Sequence, residues 1–131
     1  MLSLFKDGIG PSLLLQGLPS ADAGETFEAQ LRRHPPSKLV ASVSPLARLR
    51  AGEYNCPTFV IHGTADEIAP FSGAKKFVEE LEKRKVPHGF LALPDVKHIH
   101  DVGVEVGSRT WNEQIAPGYR FLFDTVRDVF K

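Results

Sequence analysis

The stretch from Pro57 to Pro70 reads Pro-Thr-Phe-Val-Ile-His-Gly-Thr-Ala-Asp-Glu-Ile-Ala-Pro, and it determines the fold that we predict. It opens with a short run of bulky side chains, which is typical of a strand buried in a parallel sheet. The strand ends at Gly63, where the backbone can turn sharply, and Asp66 follows in the turn. Open α/β sheets place their ligand sites just beyond the carboxyl ends of strands. Asp66 is therefore the first candidate for a functional residue.

Two further apolar runs predict strands beside this one, which covers residues 58–62. Residues 12–16 read Ser-Leu-Leu-Leu-Gln, and residues 89–93 read Gly-Phe-Leu-Ala-Leu. Glycine or proline lies near the ends of both runs, as expected of short strands. We therefore predict an α/β fold with three layers, in which a short sheet of three parallel strands has helices on both faces.

The helices are predicted from the spacing of apolar side chains. A helix capped by Ser72 runs to about Lys85, with apolar residues at i, i+3, i+4 and i+7. Residues 102–118 are predicted to form a long irregular loop. Pro117 is a favourable first residue for the last helix. The predicted apolar stripe of that helix consists of Tyr119, Leu122, Phe123, Val126, Val129 and Phe130.

Length and composition predict one ordinary globular domain, residues 1–131, with 42% hydrophobic and 24% charged residues. The formal net charge is zero, which gives no electrostatic reason to expect binding to nucleic acid or to an anionic membrane. No apolar run is long enough for a signal peptide or a membrane span, so we predict a cytoplasmic protein. The single cysteine, Cys56, is interpreted as a small buried hydrophobic residue.

The central stretch resembles the segment of the α/β-hydrolase superfamily in which a strand runs into His-Gly-x-x-Asp-x-x-x-Pro. Residues 62–70 match that motif, with the acid at Asp66. Lys97-His98 occupies the place where the superfamily usually has Gly-His. The resemblance is esterase-like, and it covers roughly the last two-thirds of the chain well and the first third loosely. It implies a truncated domain equivalent to the C-terminal half of such an enzyme, in which Asp66 orients a catalytic His98.

Asp66 and His98 form the pair that we expect to carry chemistry. A buried carboxylate that binds the Nδ1–H of an imidazole fixes its tautomer and stabilises its protonated form. The two residues are 32 positions apart (98 minus 66), but the carboxyl ends of adjacent parallel strands lie side by side. Taken singly, Asp66 is explained as a cap of the following turn and His98 as a loop residue. Their order and spacing together favour a catalytic pair.

Four other side chains are predicted to contact a small-molecule substrate: Trp111, Phe71, Ile99 and His100. The alternative for Trp111 is that it packs on the last helix. His98, His100 and Asp101 could suggest a metal site, but further ligands at a recognisable spacing are missing, so we predict no metal and no other cofactor. His62 is interpreted as a structural residue that bonds to the backbone, as the resemblance implies.

The sequence lacks the Gly-x-Ser-x-Gly motif that carries the nucleophile of the superfamily. We therefore expect a biosynthetic enzyme that uses the Asp66–His98 pair for general acid–base chemistry on a small carbonyl metabolite. Cyclisation, isomerisation, elimination and aldol-type reactions fit this description. Two alternatives stay open. The chain could be the C-terminal piece of an esterase-like serine hydrolase whose nucleophile lies elsewhere, or a non-catalytic remnant that acts by binding.

The strand at residues 12–16 suggests how the protein assembles. In the superfamily this strand is covered by the strand that carries the nucleophile, and here that neighbour is missing. An unpaired apolar edge is a template for pairing. We therefore predict a homodimer in which the edge pairs with its own copy in antiparallel orientation, with Phe121 of the last helix as a second possible contact.

Overall fold

The structure is a computed structural model, and it describes residues 24, 26 and 37–129. The chain divides into two compact units, residues 1–48 and 49–131. Most of the described residues belong to the second unit, and the single domain over the whole chain stays a prediction. The strand predicted at residues 12–16 lies outside the described residues.

The described residues contain four α-helices, two strands and one π-helical turn. In chain order they are α1 (Ser37–Val43), α2 (Pro45–Arg50), β1 (Thr58–Gly63), α3 (Phe71–Lys83), β2 (His88–Leu93), the π-helical turn (Trp111–Ile115) and α4 (Ala116–Val129). Every helix in this part of the chain falls short of the length and apolar character that a membrane span requires.

Strands β1 and β2 pair in parallel, with Thr58 opposite His88 and Gly63 opposite Leu93. The predicted parallel α/β arrangement is thereby confirmed for these two strands. Their boundaries differ from the predicted ones by one residue each, because β1 extends to Gly63 and β2 begins at His88.

Helices α3 and α4 cover opposite faces of this sheet, because successive side chains of a strand point to opposite sides. Phe59 of β1 meets Phe121 of α4, with ring centroids 5.5 Å apart. His62 of β1 lies against Phe71 of α3, with ring centroids 5.9 Å apart. A short sheet between two helical layers is the architecture that the sequence predicts.

The core of the described residues is small and lies at the C-terminal end of α3. Leu49, Leu81 and Val86 are buried there, and Tyr54 and Phe77 pack against them. Next to this core, Glu80 is buried and accepts a hydrogen bond of 2.9 Å from Arg84, which lowers the pKa of the Glu80 carboxyl. This cluster fixes the end of α3 relative to the start of β2.

The start of α3 differs from the prediction. The helix begins at Phe71, Pro70 occupies the N-cap position, and no side chain caps it, so Ser72 is not the cap. The helix ends at Lys83, before Lys85 adopts a left-handed φ of 57° that a helix cannot continue.

The predicted loop over residues 102–118 is wrong in its second half. Residues 109–116 are already helical, and Pro117 lies inside the helical run instead of starting it. A proline inside an α-helix lacks the donor N–H and crowds the carbonyl of the residue four positions earlier. The π-helical turn resolves this conflict, because the Ala116 amide bonds to Trp111, five residues back.

The apolar stripe predicted for α4 does not form a buried surface. Tyr119, Leu122, Phe123 and Val126 are between 50% and 68% exposed, whereas Phe121 faces the sheet. Phe121 is thus occupied within the fold, and the apolar face of α4 points to solvent. Cys56, interpreted as buried, is exposed as well.

Replacing Gly63 by alanine is expected to destabilise the fold. A Cβ atom at this position would overlap the backbone carbonyl of Val96, so the loop after β2 would have to move. Overpacking of this kind lowers the free energy of unfolding by about 1–3 kcal/mol, which urea denaturation followed by circular dichroism measures.

Gly73→Ala is the matched control, because nothing lies within 4 Å of a Cβ atom added at this position of α3. Alanine is favoured over glycine inside a helix by about 0.5–1 kcal/mol, so this variant should be unchanged or more stable. Unchanged stability of Gly63→Ala would contradict the close approach of the two loops.

Candidate active site

The turn after β1 and the loop after β2 are tied together by hydrogen bonds. The Ala65 amide donates to the carbonyl of Val96 at 3.1 Å. In the other direction, the Asp95 amide donates to the hydroxyl of Thr64 at 2.9 Å. These bonds hold the two segments side by side at the carboxyl edge of the sheet, where the sequence predicts the site.

The carboxylate of Asp66 is the centre of this edge. Its Oδ1 accepts hydrogen bonds from the amides of Ile68 at 2.9 Å and Ala69 at 2.8 Å. Its Oδ2 accepts a hydrogen bond from Nδ1 of His98 at 2.9 Å. One carboxylate thus caps the turn that follows it and orients an imidazole, so the two explanations weighed for Asp66 are compatible with each other.

The surroundings of Asp66 keep it ionised. Its side chain is only 7% exposed, and this burial acts to raise the pKa of the carboxyl. The hydrogen bonds from His98, Ala69 and Ile68, together with the charge that His98 can carry, outweigh burial and lower the pKa of Asp66 to about 2. At neutral pH the residue is therefore an acceptor that cannot itself donate a proton.

His98 presents one ring nitrogen to Asp66 and has the other available. Its side chain is 37% exposed and lines a cavity of about 400 Å³ at the carboxyl edge of the sheet. Since Asp66 accepts from Nδ1–H, the neutral imidazole carries its lone pair on Nε2. Nε2 is thus the atom of His98 that can accept a proton from a ligand.

His62 supports the site through its Nε2 nitrogen. Its Nε2 donates to the carbonyl of Ala69 at 2.8 Å, which confirms the predicted bond to the backbone. The same nitrogen lies 3.5 Å from Oδ2 of Asp66. His62 therefore braces the turn that carries the carboxylate.

The cavity brings together some of the predicted substrate-contacting residues and not others. Ile99 and His100 line it beside Asp66 and His98. Phe71 is not among its lining residues and stacks on Phe90, with ring centroids 5.9 Å apart.

Trp111 is also not among the lining residues. It stacks on Tyr119 of α4 at a centroid distance of 5.3 Å, which is the alternative that the sequence left open. Ile115, in contrast, lines the cavity from the π-helical turn. The sequence did not single it out, because the segment was expected to be irregular.

The backbone between the two cavity histidines is strained. Ile99 has a φ of 60°, which a β-branched residue rarely adopts, and its side chain is 59% exposed. Such a conformation costs on the order of 1–3 kcal/mol and is typical of functional sites. Lys97, which replaces the glycine of the superfamily, does not have a positive φ, so the loop turns at Asp95 and Ile99 instead.

His100 carries an unpaired polar atom. Its Nε2 is buried and has no hydrogen-bond partner among the described residues. Asp101 follows it and also lines the cavity. In the same part of the chain, no group of three or more His, Cys, Asp or Glu side chains is placed to hold a metal ion.

A parallel sheet between helices, with an Asp–His pair at its carboxyl edge, defines an α/β-hydrolase-like protein. The sequence model of the prolyl oligopeptidase family matches residues 20–128. The chain belongs to this family, which has the α/β-hydrolase fold.

Similar curated proteins include non-reducing polyketide synthases. The synthase stbA of Stachybotrys bisbyi is 45% identical over 129 residues, or 98% of this chain and 6% of the synthase. The synthase atr1 of Stereocaulon alpinum is 43% identical over 126 residues, or 96% of this chain and 5% of the synthase. The 5-methylorsellinic acid synthase of Aspergillus terreus is 32% identical over 118 residues, or 84% of this chain and 4% of the synthase.

The chain thus spans 4% to 6% of the length of these relatives. No solved structure matches the chain.

The stabilisation of the fold by the Asp66 carboxylate should be lost in acid. Its pKa is about 2 in the folded state against an ordinary value of 3.8, so the folded state binds this proton more weakly than the unfolded state. The ionised carboxylate therefore stabilises the fold above pH 3.8, and this stabilisation is lost as the pH falls towards about 2. Urea unfolding of the wild type and Asp66→Asn should show a stability difference that shrinks across this interval.

Gly73→Ala is the control, because it changes no titratable group and nothing lies within 4 Å of a Cβ atom added at this position. Its difference from the wild type should not shrink over the same interval. A difference for Asp66→Asn that stays constant down to pH 2 would contradict the depressed pKa of Asp66.

Proposed function

We propose that this chain is a biosynthetic enzyme unit that performs cofactor-free acid–base chemistry on a carbonyl group of a polyketide. His98 is the base in this proposal, and Asp66 orients it. The observation that supports the proposal is the 2.9 Å hydrogen bond between Asp66 Oδ2 and His98 Nδ1, beside a cavity that both residues line. A cytoplasmic location stays a prediction.

The hydrogen bond to Asp66 determines which ring nitrogen of His98 can act as the base. Because Nδ1–H is bound to the carboxylate, Nε2 of His98 accepts a proton from a C–H or O–H bond of the substrate. The ionised Asp66 then stabilises the imidazolium that forms, as a buried carboxylate does beside a catalytic histidine. The same nitrogen returns the proton to the product, so the residue ends each cycle as it began.

The similarity to polyketide synthases supports the choice of substrate class. Polyketides carry carbonyl groups along a carbon chain, and a C–H bond between two carbonyls is acidic enough for a histidine to break. Cyclisation and aldol-type closure begin with this step, and isomerisation and elimination can begin in the same way. No cofactor is required, because the substrate carbonyls accept the electron pair.

A second function is favoured by the family membership. In an esterase-like hydrolase of the α/β-hydrolase fold, the same Asp–His pair activates a serine. The 131 residues contain no Gly-x-Ser-x-Gly motif, so in this version a serine outside them would complete the site. His98 Nε2 would then take its proton from that serine and not from the substrate.

Replacing His98 by alanine should remove the chemistry and leave the fold intact. Acetoacetyl-N-acetylcysteamine, a thioester with a C–H bond between two carbonyls, serves as the probe in deuterium oxide. The wild type should incorporate deuterium at this carbon faster than buffer does, and His98→Ala or Asp66→Asn should lower the rate on the order of 10²- to 10⁴-fold. Mass spectrometry measures the deuterium.

The same assay separates the alternatives. Release of the thiol, and labelling of a serine by a fluorophosphonate, only after a second polypeptide that carries the Gly-x-Ser-x-Gly segment is added would select the hydrolase version. If the chain alone catalyses no exchange and the added polypeptide brings no thiol release, both catalytic versions fail and a binding role is favoured. Circular dichroism of the variants checks that lost activity is not lost folding.

We also propose that the protein forms a homodimer. The edge strand predicted at residues 12–16 lies outside the described residues, but the exposed apolar face of α4 offers a surface that a second copy could cover.

Light scattering at micromolar concentration tests the assembly. The wild type should have twice the chain mass of 14.5 kDa, and Leu122→Lys should shift it to the monomer. Leu14→Lys should do the same if the edge strand forms the interface. A soluble wild-type monomer at this concentration would defeat the proposal, and Lys76→Ala, on an exposed position of α3, controls for surface mutation.

A further inference from the structure

We infer that His100 is a second hydrogen-bonding group of the site and that its Nε2 binds the oxygen of a 1,3-dicarbonyl ligand. This inference rests on the proposed function, because it concerns the ligand on which His98 acts. It adds a residue role, because it names the group that binds the carbonyl oxygen on which the negative charge of the enolate develops.

The first support is the position of the ring. His100 lies two residues after His98 and lines the same cavity as His98 and Asp66. Ile99, between the two histidines, has the left-handed φ of 60°. This kink changes the direction of the chain between the two rings, and yet both contribute to one cavity.

The second support is the unpaired nitrogen. Nε2 of His100 is buried and lacks a partner among the described residues, although buried polar groups are nearly always hydrogen-bonded. To meet a ligand oxygen in the cavity, Nε2 has to leave this position by rotation of the imidazole about the Cβ–Cγ bond, and this rotation is part of the inference. The ligand oxygen would then supply the partner that Nε2 lacks, which favours the rotated ring.

The third support is that the other two histidines at this edge already have hydrogen-bond partners. Nε2 of His62 is bound to the carbonyl of Ala69, and Nδ1 of His98 is bound to Asp66. His100 has neither of these hydrogen bonds, so its Nε2 can carry a proton and donate it to a ligand.

The reaction step balances with these groups alone. His98 Nε2 takes the proton from the carbon between the two carbonyls, and the C–H bond breaks. The electron pair forms a carbon–carbon double bond, and the negative charge moves to a carbonyl oxygen. His100 Nε2–H donates a hydrogen bond to this oxygen and remains protonated, which stabilises the enolate.

Pentane-2,4-dione is the probe, and deuterium exchange at its central carbon is the readout. His100→Leu should slow the protein-catalysed exchange about 100-fold, the loss typical of removing a donor to an oxyanion. His100→Gln and His100→Asn identify the nitrogen, because the Gln amide reaches the position of Nε2 and the Asn amide only that of Nδ1. Gln should restore most of the rate, and Asn should not.

The outcomes separate this inference from the proposed function. Exchange that is catalysed by the wild type and equally by His100→Leu would overturn the role of His100 and leave His98 as the base. Equal rates for the Gln and Asn variants would also overturn it, and this comparison holds even if the Leu variant fails to fold.

If the wild type catalyses no exchange, the proposed function fails, and the role of His100 is decided by binding. The ¹⁵N resonance of His100 Nε2 should then still shift on addition of pentane-2,4-dione to the His98→Ala variant. An unchanged resonance at saturating dione would overturn the inference.

Discussion

The carboxylate of Asp66 connects the separate parts of the site. It accepts two backbone amides of its own turn and the imidazole of His98 from the loop after the next strand. Because its pKa is depressed to about 2, all of these bonds involve an ionised acceptor, which makes them stronger than bonds between neutral groups. The position of the base therefore depends on the same charge that closes the turn.

The sequence predicts the strands and the meeting of Asp66 with His98 because both follow from short-range patterns. An apolar run bounded by Gly63 and a second run ending at Leu93 are sufficient to specify two parallel strands. Parallel pairing then brings their carboxyl ends together, whatever the length of the helix between them. The superfamily resemblance adds the identity of the histidine, which spacing alone leaves open between His98 and His100.

The parts that the sequence misses depend on packing across the fold. The spacing along α4 identifies an apolar stripe but not which side of the helix meets the sheet, and the structure turns Phe121 and Gly118 inwards. Glu80 belongs to the charged face of α3 by its spacing, and yet it is buried because Arg84 pairs with it. The left-handed Ile99 leaves no signal in the sequence, because glycine is the residue expected there.

Because of the π-helical turn, one wall of the cavity depends on how many residues the chain has between Trp111 and Ile115. A π-turn holds one more residue than an α-turn, so removing a residue between Trp111 and Ile115 would let an ordinary α-helix form. The helix before the deletion would then rotate by about 100° relative to α4, because that is the turn per residue. Related chains that differ by one residue here should thus present a different side chain where Ile115 now lines the cavity. Insertions and deletions would therefore change this wall of the cavity more than substitutions would.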